Sequence, residues 1–260
     1  MTTINRLILS TVAVVLLFLC LVGCGGTGSG GQTVARVDKV ALTRQALAYW
    51  MKTLIGDAII SEGGESVPAG LVSEPARNSV CVTHLEALIS PALHGAARPT
   101  SAQLFQKCQQ LNKALREETL RQMILWQTLK RSAAELGVQV TDAEVKRQWE
   151  AARPVIFPHS GELETFLQKR GWDLSVELLR VRVNLLDKKI NEQLAKKLGT
   201  SKQALLAYLL RQEEQWAAKT KCEPGYVTEG CKEFTSAQKD TGASSGVVAE
   251  EIVALKRGTR

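Results

Sequence analysis

The sequence predicts a mainly α-helical protein that opens with a very short strand pair and contains two disulfides. Three features predict this. Apolar residues recur at helical spacing over most of the chain, a short apolar segment at the start resembles a secretion signal, and the cysteines left after its removal are even in number. The chain has 260 residues and a formal net charge of +7. It is long enough for one large domain or two small ones.

Residues 1–23 have the pattern of a lipoprotein signal peptide. From Leu7 to Val22 the chain is almost wholly apolar, and this stretch is shorter than the roughly 20 residues of a membrane-spanning helix. A weakly basic start, an apolar centre and small residues before a cleavage site are typical of secretion signals. Gly23 then precedes Cys24, which predicts that Cys24 becomes the lipidated first residue on the extracytoplasmic face of the membrane. A cleaved signal without lipid, or an uncleaved short anchor, are the alternatives.

Charge limits the classes of partner. Removing residues 1–23 takes away one basic residue, Arg6, and no acidic one, so the side-chain charge falls to +6. A mildly basic exported protein is attracted to anionic lipids or wall polymers. No dense block of lysine and arginine occurs, and nucleic acid is not an expected partner.

The cysteines predict two disulfides. Of six cysteines, Cys20 would be cleaved away and Cys24 lipidated, and an even remainder in an oxidising compartment is typical of disulfides. The four that remain are Cys81, Cys108, Cys222 and Cys231. Three pairings are open, and the shortest loops favour Cys81–Cys108 and Cys222–Cys231. No C-x-x-C motif occurs and the histidines have no ligand spacing, so neither a metal nor another cofactor is predicted.

The first structural elements follow a glycine-rich stretch. Residues 24–33 predict a flexible tether, ahead of a folded helical domain over 34–234. Two short strands are expected at 34–37 and 40–42, and Thr43 caps the helix that follows. The apolar stripe of this helix consists of Leu47, Trp50, Met51 and Leu54.

The longest helical pattern in the chain covers residues 101–136. It follows an irregular segment over 56–100 that is rich in glycine, proline and serine, with room for one short helix near 83–90. The apolar stripe of the long helix consists of Leu104, Cys108, Leu111 and Leu115. Because Cys108 lies on this stripe, a bond to Cys81 would fasten the irregular segment to the long helix.

Four more helices are expected after it. Thr141 and Glu144 have the spacing of a capping box and predict a helix that ends before Pro154. The other three are expected at 161–170, 174–198 and 201–219. The last of them carries Leu205, Leu209 and Trp216 on one stripe and packs back on the core. A loop closed by Cys222 and Cys231 follows, and the composition of residues 235–260 predicts a disordered tail.

The 174–198 helix is apolar on two sides. One stripe consists of Val176, Leu179, Val183, Leu186 and Ile190. Leu178, Val181 and Leu185 form a second, and together the two are broader than one core face needs. These three residues are candidates for contact with an unfolded client polypeptide. The alternative is that they pack against the N-terminal helix or the last helix.

Three segments, taken in order, resemble a known family. They are residues 34–43 leading to Trp50; 136–145, 157–158, 166–167 and 178–183 after the long helix; and Trp216, Cys222, 225–227 and 231–232 at the end. This order is similar to the SurA/PrsA-like extracytoplasmic foldases, the actinobacterial lipoproteins in particular. The resemblance implies a helical chaperone core like the N-terminal domain of SurA.

The chain departs from that family at one place. Family members usually carry a parvulin-type peptidyl-prolyl isomerase domain before the last helix. Here only Gly199 and Thr200 separate the 174–198 and 201–219 helices, so no such domain fits. The resemblance therefore implies the chaperone part without the catalytic part.

The expected function is binding without chemistry. No G-x-S-x-G or H-E-x-x-H motif occurs, and the three histidines lie in or beside loop segments. We expect a holdase on the extracytoplasmic face of the bacterial cell membrane, anchored through Cys24, that binds unfolded, newly exported polypeptides and is not an enzyme. The alternatives are a peptidyl-prolyl isomerase with an unrecognised site, and an envelope adaptor that holds one specific partner. The sequence predicts no oligomeric state.

Overall fold

The computed structural model describes residues 31–61, 67, 70–89, 98–199 and 201–234. The signal peptide, lipidated Cys24, all of the tether before residue 31 and the 235–260 tail lie outside these residues. The elements are β1 (Thr33–Val37), β2 (Val40–Thr43), α1 (Arg44–Ser61), α2 (Asn78–Ile89), α3 (Ser101–Glu135), α4 (Asp142–Ile156), α5 (Glu162–Arg170), α6 (Leu174–Leu198), α7 (Lys202–Lys219) and β3 (Thr220–Cys222). The predicted mainly helical fold is confirmed, and no helix within the described ranges combines the length and apolar character needed to cross a bilayer.

Both predicted disulfides are present. Cys81 of α2 bonds to Cys108 of α3, with their Cα atoms 6.1 Å apart. Cys222 and Cys231 close the loop after β3, with their Cα atoms 5.7 Å apart. The first bond joins the segment before α3 to the long helix, as the position of Cys108 predicted.

A three-stranded sheet has the order β2-β1-β3. β1 pairs antiparallel with β2, and Asp38 takes a positive φ of 52° in the tight turn between them. β1 also pairs antiparallel with β3, which places Ala35 opposite Cys222. The sequence predicted the first pair and missed β3, because a three-residue strand is too short to show alternation and its partner lies at the other end of the domain.

Three helix boundaries differ from the prediction. α1 continues to Ser61, and α2 begins at Asn78, so much of the segment predicted as irregular is helical. At Gly56 a Cβ atom would lie 2.8 Å from the backbone oxygen of Arg170, so this glycine allows α1 and α5 to approach closely. α4 does not end before Pro154 but continues to Ile156. Pro154 removes the backbone donor that would bond to the Glu150 carbonyl, and the helix ends two residues later.

The buried apolar side chains form two clusters. The larger contains residues of the sheet, α1, α2 and the first two thirds of α3, together with Trp216, Cys222, Tyr226 and Cys231. The smaller consists of Ala133, Leu136, Leu186, Ile190 and Leu194, with Tyr208 and others packed against it. The second cluster is where α6 and α7 meet the end of α3.

A buried polar cluster links three distant parts of the chain. The side chain of Glu74 is only 2% exposed, and its Oε1 accepts a hydrogen bond from the Tyr226 hydroxyl at 2.6 Å. Arg44 Nε lies 3.7 Å from Glu74 Oε1, and Arg116 Nη1 lies 3.9 Å from Oε2. Both guanidinium groups also lie over the Tyr226 ring. Burial, and then the hydrogen bond to Glu74, raise the pKa of Tyr226, so its hydroxyl stays protonated and remains a donor.

The start of α4 is tied to α6 through Glu144. The predicted capping box is present: Thr141 Oγ1 accepts from the Glu144 amide, and Glu144 Oε2 accepts from the Thr141 amide at 2.8 Å. Lys189 of α6 donates to Glu144 Oε1 at 2.5 Å. The bond from Lys189, followed by the backbone bond from Thr141, lowers the pKa of Glu144 from 4.5 to about 2.

We expect the Glu144→Gln variant to be less stable than the unchanged chain at neutral pH. In acid the free energies of unfolding of the two proteins are expected to become equal. A carboxyl whose pKa is lowered by folding stabilises the folded state above its unfolded pKa, and this contribution is lost as the pH falls through the folded value. The stabilisation by Glu144 is therefore lost as the pH falls from about 4.5 to about 2. Glutamine keeps the capping box and removes only the charge, so urea unfolding of both proteins at stepped pH isolates the ionic contact. A difference that does not change with pH would contradict the expectation.

Candidate functional site

A groove of about 410 Å³ lies between α3, α6 and α7. It is called the leucine groove below. Its lining residues are Arg121, Ile124, Leu125, Thr128, Leu129 and Ser132 of α3; Asp187, Ile190, Asn191 and Leu194 of α6; Tyr208, Leu209, Gln212 and Glu213 of α7; and Glu229 and Gly230 of the disulfide-closed loop. The residues of α3 and α6 recur at spacings of three and four, so each helix presents one continuous face to the groove.

The floor of the leucine groove is packed core. Ile124 belongs to the larger buried cluster, and Ile190 and Leu194 belong to the smaller one. All three are less than a tenth exposed. A floor made of close-packed side chains does not collapse into the groove, so the surface above it is fixed in shape.

The rim of the leucine groove exposes large apolar side chains. Leu125 of α3 and Leu209 of α7 line the groove, and Leu206 and Leu210 are two further exposed leucines of α7 that do not line it. These four leucines are between 49% and 58% exposed. Single exposed leucines need no explanation, but two half-exposed leucines that line the same apolar cavity are typical of a binding surface.

The position of α7 follows from contacts at its C-terminal end. Trp216 is buried in the larger cluster, and the hydroxyl of Thr220 donates to the Trp216 backbone oxygen at 2.8 Å. Leu209 lies about two turns before Trp216, so the two residues share a face of α7: Trp216 packs into the larger cluster, and Leu209 lines the groove. The sequence placed Leu209 on the same stripe as Trp216, and along that stripe only Trp216 is buried, because Leu209 borders the groove and is 49% exposed.

The disulfide-closed loop forms one end of the leucine groove. Gly230 has a φ of +93°, which only glycine adopts readily. A Cβ atom at this position would lie 3.2 Å from Ile124 Cγ2 on the groove floor. The Cys222–Cys231 bond therefore holds a glycine against the floor and places Glu229 at the rim.

Tyr208 supplies a neutral polar group beside the apolar floor. Burial raises the pKa of its hydroxyl, and the negative charge of Glu135 raises it further. The phenol therefore stays protonated at physiological pH and can donate or accept a hydrogen bond to a bound polypeptide backbone.

The predicted client-binding residues lie elsewhere. Leu178, Val181 and Leu185 are half-buried, and none of them lines the leucine groove. Their positions on α6 share a face with Arg182 and Lys189, and those two residues bond to the beginning of α4. This placement supports the packing alternative that the sequence left open, with α4 as the neighbour instead of the first or last helix.

Two other cavities are less suited to binding a polypeptide. One of about 830 Å³ lies at the turn between α4 and α5, beside the exposed Val155 and Ile156. α5 contributes no buried residue, so this cavity has no packed floor beneath it. The other, of about 230 Å³, lies beside Trp50, Trp126 and Trp172. It is partly closed by Trp172, whose indole nitrogen donates to the Thr53 backbone oxygen at 3.0 Å.

Metal chemistry has no evident place among the described residues. No group of three histidine, cysteine, aspartate or glutamate side chains is arranged to hold an ion in the ranges that the structure describes. All four cysteines there are in disulfides.

The arrangement at the leucine groove can bury apolar side chains and offer a few hydrogen bonds.

Comparison of the chain with protein-family models, with curated proteins and with solved structures finds no match.

Proposed function

We propose that the protein is a membrane-anchored extracytoplasmic holdase that binds unfolded, newly exported polypeptides in the leucine groove. One observation carries the proposal: two half-exposed leucines, Leu125 and Leu209, line a cavity whose floor is packed apolar core. Burying apolar surface is the main favourable term in most protein association, and it needs no sequence-specific contact. A surface of this kind suits many partners that share only exposed apolar side chains.

The size of the groove fits short segments of a client. Its volume lies within the range of about 300–1,000 Å³ that binds small ligands, so it accepts a few side chains at a time. Contact with only a few side chains of the client is reversible, as a holdase requires. Anchoring through Cys24 and the tether over residues 24–33 would keep the groove where exported chains emerge unfolded. No catalytic step is part of this proposal.

The test is suppression of aggregation of a heat-denatured model protein by the chain lacking residues 1–24. The described residues from Thr33 onward belong to one compact unit, so this form retains the groove. We expect suppression at modest molar excess. A proline-limited peptide assay on the same preparation is expected to show only the background rate of isomerisation. Absence of suppression at several-fold excess would overturn the proposal.

Replacing Leu209 by glutamine is expected to weaken suppression strongly. Burying one leucine contributes about 1.5–3 kcal/mol, which corresponds to at least about a tenfold loss of affinity. Val155→Gln is the matched control, because Val155 is 81% exposed and lies outside the groove. If Val155→Gln reduced suppression and Leu209→Gln did not, the binding surface would be the cavity between α4 and α5. Thermal unfolding of both variants shows whether they remain folded.

Pull-down from an envelope extract separates the holdase from the adaptor alternative. A holdase captures many unfolded polypeptides, and Leu209→Gln reduces all of them together. Recovery of a single folded partner at fixed stoichiometry would favour the adaptor.

A further inference from the structure

The leucine groove is acidic in a chain that is basic overall. The whole chain has a net charge of +7. Yet the charged residues that line the groove are three carboxylates, Asp187, Glu213 and Glu229, and one guanidinium group, Arg121. The charge of the groove is thus opposite in sign to the net charge of the chain. The net charge therefore does not account for which polypeptide segments the groove prefers.

The single cation is already neutralised. Arg121 donates from Nε and from Nη2 to the two carboxylate oxygens of Glu118, both at 2.9 Å. This is the bidentate geometry in which an arginine is best satisfied, and Glu118 does not line the groove. Arg121 therefore has little charge left to offer a bound polypeptide.

Two of the three carboxylates, Asp187 and Glu213, have no ion-pair partner among the described residues. Asp187 accepts a hydrogen bond from the neutral amide of Asn191 at 3.1 Å, which leaves its charge in place. The hydrogen bonds to Glu118 and, more weakly, the negative charge of Glu229 raise the pKa of Arg121, so Glu229 is the one carboxylate of the groove that Arg121 partly compensates. The three carboxylates come from α6, α7 and the disulfide-closed loop, so negative charge borders the apolar centre from three elements.

We infer that the leucine groove selects apolar polypeptide segments flanked by lysine or arginine over segments flanked by aspartate or glutamate. The inference rests on the proposed function and names its substrate class. The apolar side chains of the client cover the leucines, and its flanking cations lie near the three carboxylates. Complementary charge at the border of an apolar interface sets which partners are accepted and how fast they bind.

The test compares two fluorescent peptides with the same short apolar centre, one flanked by lysines and one by glutamates. Binding is measured by anisotropy with the chain lacking residues 1–24. Exposed ion pairs contribute little individually, so three of them together are expected to favour the lysine-flanked peptide by roughly tenfold at low ionic strength. Added salt screens exposed charges and is expected to narrow the difference.

Variants assign the preference to the groove. The double variant Asp187→Asn, Glu213→Gln is expected to lose most of the preference, because glutamine and asparagine keep the shape and remove the charge. Glu214→Gln is the matched control: Glu214 is the exposed neighbour of Glu213 on α7 and does not line the groove. Leu209→Gln is expected to weaken the binding of both peptides by the same factor.

The outcomes separate the inference from the proposed function. If aggregation is suppressed but the two peptides bind equally, or the glutamate-flanked peptide binds more tightly, the charge preference is wrong and the holdase function stands. If suppression itself is absent, both are wrong. A dimer that forms with increasing concentration and is abolished by Leu209→Gln would mean that a second copy occupies the groove, and would overturn the inference.

Discussion

Replacing Cys81 and Cys108 together by alanine is expected to lower the free energy of unfolding by about 3.5 kcal/mol. The bond closes a loop with a sequence separation of 27, and constraint of the unfolded chain grows with the length of the closed loop. Both sulfur-bearing side chains are fully buried, so the alanines also lose packing contacts. The measurement is urea unfolding of the two proteins, followed by circular dichroism.

The second disulfide is the control for this expectation. Cys222–Cys231 closes a loop with a separation of only 9, so its removal is expected to cost about 1 kcal/mol less. The expectation is contradicted if the Cys81, Cys108 variant unfolds at the same urea concentration as the unchanged chain. It is also contradicted if the shorter loop proves to contribute more.

Replacing Glu74 by glutamine is expected to destabilise the fold by about 2 kcal/mol. The change leaves Arg44 and Arg116 without the carboxylate that faces both of them. Breaking a fully buried ion pair costs about 3–5 kcal/mol. The arginine side chains are 29% and 22% exposed, so water compensates for part of the loss.

Tyr226→Phe separates charge from hydrogen bonding in the same cluster. Phenylalanine keeps the ring beneath the two guanidinium groups and removes the hydroxyl, which donates to Glu74 and accepts from Arg44 Nε at 3.1 Å. Losing these two hydrogen bonds is expected to cost about 1–2 kcal/mol, since one contributes about 1 kcal/mol net. If Glu74→Gln changes the urea midpoint less than Tyr226→Phe does, the carboxylate charge has no structural role.

Elements with many residues of one period were predictable. The stripe of Leu104, Cys108, Leu111 and Leu115 specified both the long helix and its inward face, and all four residues are buried. The capping box at Thr141 marked the start of α4 because two side chains there satisfy backbone donors locally. The pairing of cysteines followed from locality in the chain.

Features that depend on distant residues were not predictable in the same way. Gly56 opened the segment predicted as irregular, but it lies within α1. A glycine is needed there because the backbone of Arg170 leaves no space for a Cβ atom. β3 exists because β1 offers it an edge. The leucine groove was missed for the same reason. Leu206, Leu209 and Leu210 look like core residues on a helical pattern, and only the arrangement of α7 beside α3 and α6 shows that they are half-exposed.

The pairing of β1 with β3 also sets an order in time. Contacts between residues far apart in the sequence form late, because the chain between them must first be confined. A chain that leaves a ribosome or a translocation channel from its N-terminus exposes the apolar faces of α1 and α3 well before Trp216 and the Cys222–Cys231 loop arrive to cover them. Until then the emerging protein has the same kind of unprotected surface that we propose it recognises in others, and its own biogenesis is a step at which help from existing copies would matter.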